Sequence, residues 1–127
     1  MTYRDEPQSY SGRPPGLSTR LFLRLGEAGY DTFCQLIYPA SRPWRPASAT
    51  EIVLHDGGGT EIARTSLEIP CFGSCLWYYR DAFDAATRAR AGSGAHVIIR
   101  DTTCRLFGYH GLLGSNGSFS LDHMFGF

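Results

Sequence analysis

The groups in this 127-residue chain best suited to chemistry are its four histidines, and two of them flank a strong turn signal. Asn116-Gly117 has the residue types of a two-residue type I′ hairpin loop, in which both central positions need positive φ. Pairing outward from that loop sets Leu113 opposite Ser120, Leu112 opposite Leu121 and His110 opposite His123. Directly opposed Cβ atoms lie about 4.5–5.5 Å apart, so the two imidazoles could share one transition metal ion or one anion. Zinc, copper, nickel and iron all accept such nitrogen ligands. Cys104 is out of reach, because six residues along a strand is about 20 Å. A third ligand would come from another strand, His55 or His96, since Asp122 and Tyr109 fall on the other face in this register. The alternative is a pair of neutral packed rings, or a pair that responds to pH. A loop at Ser115-Asn116 would instead set His110 opposite Leu121 and separate the histidines.

Other chemistry is sparse. The chain has no Gly-x-Ser-x-Gly elbow, no His-Glu-x-x-His pair and no phosphate loop. Gly57-Gly58-Gly59 lacks both a following lysine and a following helix, so it reads as a turn. The carboxylates are scattered singly, which gives no acid/base dyad. Cys71 and Cys75 enclose three residues, a poor match to zinc knuckles, and the four cysteines read as small buried hydrophobes. No catalytic residue is assigned. The balance favours a non-enzymatic protein, with a metal protein or metal-dependent enzyme built on His110 and His123 as the alternative.

The elements that must position these residues are short strands. Residues 1–18 read as a flexible proline-rich arm, and 19–127 as a single domain. Leu21, Leu23 and Leu25 alternate with Arg20, Phe22 and Arg24, and residues 31–38 are rich in strand formers. Residues 51–55 and 60–69 form a hairpin about Asp56 to Gly59, followed by strands at 75–79 and 95–100. Two more strands occupy 104–127, and alanine-rich 81–90 is the one expected helix. At least seven strands with frequent turns predict an antiparallel β-sandwich with one short crossover helix; a small barrel or jelly roll is the alternative.

Composition narrows the partners. Twelve basic and twelve acidic residues balance to zero, which argues against nucleic acid. No apolar run approaches the roughly 20 residues of a membrane span, and no leader pattern opens the chain, so no membrane insertion and a cytoplasmic location are expected. All twelve basic residues are arginine, which reads as the coding bias of a GC-rich bacterial genome.

Asp56-Gly57, the stretch Leu67 to Pro70 with Phe72-Gly73-Ser74, the short helix and the strand after it resemble small bacterial immunoglobulin-like accessory domains. The likeness covers residues 20–112 and carries no catalytic signature. It implies an immunoglobulin-like sandwich serving as a binding or assembly module. The residues themselves support binding, because aromatics make up 13% of the chain and alternate along strands, so some must face water. Tyr79, Phe107, Tyr109 and Met124 are the expected contacts to a protein partner or to a second copy. Trp44 reads as folded back onto its own domain.

Overall fold

The computed structural model describes residues 19–24, 29–39, 45–101, 104–123 and 125–126, with 19–24 and 125–126 described as backbone. The expected arm at 1–18, Trp44 and Met124 lie outside the described residues. The chain forms two antiparallel sheets, as its period-two patterning predicts. Strands β1 (Thr19–Arg24), β3 (Thr50–His55), β4 (Glu61–Leu67), β6 (His96–Asp101) and β9 (Phe125–Gly126) make one sheet, ordered β4-β3-β6-β1-β9. Strands β2 (Tyr30–Ile37), β5 (Ser74–Tyr78), β7 (Phe107–Gly114) and β8 (Phe119–His123) make the other, ordered β5-β2-β7-β8.

One hydrophobic core joins the sheets. Ile52 and Leu54 of β3 and Val97 and Ile99 of β6 meet Cys34 and Leu36 of β2 and Trp77 of β5. These positions alternate along their strands, so each strand presents the opposite set of side chains to the outside. Asp101 is buried at the end of β6, where its carboxylate accepts from the Ala49 and Cys104 amides at 3.0 and 2.9 Å and from the Thr50 hydroxyl at 2.9 Å. Those bonds fix the start of β3 against the end of β6, and they supply the partners a buried carboxylate needs.

The helical segment differs from the single helix expected over 81–90. It is α1 (Tyr79–Ala82) and α2 (Ala85–Ala91), broken by extended backbone at Phe83 and Asp84. Phe83 turns into the core at 5% exposure, and Asp84 caps α2 by accepting from the Thr87 amide at 2.8 Å. Burial of one aromatic ring outweighs helix continuity here. None of the described helices is long and apolar enough to cross a membrane.

The C-terminal hairpin also departs from expectation. Its loop has three residues, not two: the Gly114 amide donates to the Ser118 carbonyl at 2.7 Å, and the Gly117 amide to the Gly114 carbonyl at 3.0 Å. Ser115 and Asn116 occupy the centre of a tight turn, and Gly117 takes the left-handed conformation at φ 87°. The register therefore shifts by one residue from the expected pairing. Tyr109 faces His123, His110 faces Asp122 and Leu113 faces Phe119. After β8 the chain leaves this sheet, and Phe125 pairs with Phe22 of β1 rather than with Gly108.

Candidate functional site

A one-residue shift in a strand turns every side chain over. His110 lies on the inner face beside Cys34 and opposite Asp122, whereas His123 lies outside against Tyr109, with ring centroids 4.8 Å apart. The expected metal pair His110 and His123 is thus corrected: the two imidazoles sit on opposite faces of the sheet, and no single ion can reach both. Among the described residues, no three His, Cys, Asp or Glu side chains are grouped to hold a metal.

A cross-strand histidine pair does exist, in the other sheet. His55 of β3 opposes His96 of β6, with rings stacked at 5.1 Å and 9°. Parallel rings aim their lone pairs along separate planes, so this arrangement suits two packed imidazoles rather than a chelate. Burial, and then the neighbouring His55, hold the His96 pKa below its ordinary value. Sequence reading named His55 and His96 singly; their pairing depends on β3 lying beside β6, two strands not consecutive in the chain.

The outer faces of the two sheets differ in kind. On the sheet containing β3, Arg64 bonds Glu51 at 2.8 Å and grips Glu61 with two bonds at 2.7 and 2.9 Å, and Arg100 approaches Glu51 at 3.4 Å. The Glu61 carboxyl is held below its usual pKa by the Arg64 guanidinium. These exposed ion pairs contribute little stability, and they share the face with Val53, Ile98 and the His55–His96 stack, Val53 being buried.

The outer face of the four-stranded sheet is mainly apolar, with Asp31, Gln35, Ser74 and His123 as its polar members. The register places Phe33, Leu76, Tyr78, Phe107, Tyr109, Leu113, Phe119 and Leu121 on it. Phe119 is 73% exposed and Leu121 58%, with Leu76, Leu113, Phe107 and Tyr109 at 37–50%. At about 200 Å² for a large side chain, these six leave roughly 600 Å² in water. That is the upper end of what an isolated monomer shows.

The face has relief. Phe33, Leu76, Tyr78, Leu113, Phe119 and Leu121, with Gln35, line an open groove of about 410 Å³. Its floor depends on Gly111, which sits between Phe33 of β2 and Leu121 of β8. A Cβ at Gly111 would meet the Phe33 ring at 2.7 Å and the Ser120 carbonyl oxygen. The missing side chain lets the Phe33 ring lie down on the sheet, beside Tyr78 at 6.4 Å.

Of the expected contacts, Phe107 and Tyr109 lie on this face. Tyr79 does not: it opens α1, is half-buried, and packs its ring on Phe83 at 6.0 Å. Sequence reading did not name Phe33, Leu76, Tyr78, Leu113, Phe119 or Leu121 as contacts. The expected register set Leu121 opposite Leu112, on the face of His110, whereas the observed one sets it opposite Gly111, on the face of Tyr109. The four cysteines are thiols, with Cys34 and Cys104 buried; burial pushes the Cys34 thiol well above its usual pKa, which leaves it without nucleophilic character near neutrality. Comparison of the chain with family models, with curated proteins and with solved structures found no match.

Proposed function

We propose that this protein is a non-enzymatic binding or assembly module whose contact surface is the outer face of the four-stranded sheet. The observation that carries the reading is the contrast between the faces: one carries exposed ion pairs, the other about 600 Å² of Phe, Tyr and Leu in water. Both faces are made by strands of one domain, and solubility alone would favour charge on both. Aromatic and aliphatic side chains kept outward on a rigid sheet are the composition of a protein interface core. A small polar ligand would call for more hydrogen-bonding groups than Gln35 supplies in the groove.

The resemblance to immunoglobulin-like accessory domains agrees with this reading, because such domains mostly bind or assemble. The neighbour order β4-β3-β6-β1-β9 differs from the A-B-E-D order of immunoglobulin sheets, so the support is confined to two packed antiparallel sheets. The test is retention of proteins from an extract of the producing cell by immobilised chain. Proteins held by the wild type and by Glu61→Arg on the ionic face, but released by Phe119→Arg, support the reading. Equal retention by all three, together with no self-association, overturns it.

A further inference from the structure

We infer that the outer face of the four-stranded sheet binds a second copy of this chain in a two-fold dimer, each Phe119 entering the other copy's groove. The inference rests on the binding reading above and names its partner. Three observations lead to it.

The first is chemical match. The groove side chains carry no formal charge, so an occupant needs an apolar and uncharged surface of its own. Among the described residues, the exposed large apolar side chains off this face are Tyr30 and Phe72, while the opposite sheet presents Glu51, Glu61, Arg64 and Arg100. The surface of this protein that complements the face is the same face, which is the condition for an isologous contact.

The second is area. Six side chains supply roughly 600 Å², and the partly covered Phe33, Tyr78 and Gln35 lie between them, against about 800 Å² per partner in a standard interface. The face reaches that size only if it is used nearly whole, so sheet packs on sheet rather than on a peptide lying across it.

The third is shape. Phe119, near the start of β8, is the most exposed of the large apolar side chains described. The groove it borders, floored by Phe33 where Gly111 has no side chain, is open and large enough to admit an aromatic ring. A two-fold axis lying in the plane between the two faces, along the strand direction, sets β8 of each copy over β5 of the other and so carries each ring across to the other copy's Leu76 and Tyr78. At the β8 edge the carboxylate of Asp122 takes the His123 amide at 2.8 Å, which removes one donor from edge-to-edge pairing.

The experiment is sedimentation velocity of the purified full chain under reducing conditions, from low micromolar to several hundred micromolar. The expected result is a reversible monomer–dimer equilibrium. Phe119→Ala weakens it at least tenfold, Phe119→Arg removes the dimer from the range, and Glu61→Arg on the ionic face leaves it unchanged. Circular dichroism of each variant checks the fold, and Leu121→Arg serves as a second face variant should Phe119→Arg lose it. A monomer throughout the range overturns the second-copy inference; if extract proteins are still retained through Phe119, the binding reading survives it. A dimer unaffected by both face variants overturns the inference too, because it uses another surface.

Discussion

Replacing Gly111 with alanine tests how the candidate face is built. The added methyl meets the Phe33 ring at 2.7 and 2.8 Å and the Ser120 carbonyl oxygen. The ring can swing away only by leaving the sheet surface, and the carbonyl only by moving β8. Forcing a methyl into a packed place costs about 1–3 kcal/mol. Reduced freedom of the unfolded chain returns about 0.4–1 kcal/mol. The net expectation is a loss of about 1–2 kcal/mol. With an m-value near 2 kcal/mol per molar urea, the unfolding midpoint falls by about 0.5–1 M. The same substitution made in a Phe33→Ala background costs less, by at least about 0.5 kcal/mol, because one of the two obstacles is gone. A Gly111→Ala midpoint equal to wild type, or an identical cost in both backgrounds, refutes the account of the groove floor.

Three other outcomes are expected. Asp101→Ala strands the buried Cys104 amide, removes the acceptor of the Ala49 amide and leaves the Thr50 hydroxyl with Ser48 alone, and urea unfolding should show a loss of about 2 kcal/mol or more; a loss under about 1 kcal/mol would contradict the role assigned to that carboxylate. The His96 pKa is depressed from an ordinary 6.5, so the unfolded chain takes up a proton that the folded chain resists; thermal midpoints should hold steady above about pH 6.5 and fall below it, and His96→Gln should flatten that acid limb. Gly117→Ala puts a side chain at φ 87° and should cost about 1 kcal/mol, with no cost at all if the loop were not left-handed there.

Much of the architecture was legible because it is local. Alternation located the strands, and Asp56 closes its hairpin as expected, its carboxylate accepting from the Gly58 and Thr60 amides at 2.9 Å each. What failed depends on competition between nearby alternatives. Asn116-Gly117 satisfies a two-residue loop, yet Ser115, Asn116 and Gly117 satisfy a three-residue loop equally well. The ladder of β7 with β2 and β8 decides between them, through contacts that no window of sequence contains. The helix broke for a similar reason: local alanines favour continuity, but Phe83 has a place in the core. The binding face was half legible. Phe107 and Tyr109 follow from alternation in β7, whereas Phe33 and Leu76 join them only because β2 lies between β5 and β7.

The central claim is that the outer face of the four-stranded sheet meets another protein surface, and site-specific photo-crosslinking reads this directly. A benzophenone amino acid at position 119 reports from that face, and one at position 61 from the ionic face, each in the cell that makes the protein. The account predicts a discrete protein adduct from position 119, either a second copy or another chain, and none from position 61. No adduct from position 119, or the same adduct from both positions, would contradict it.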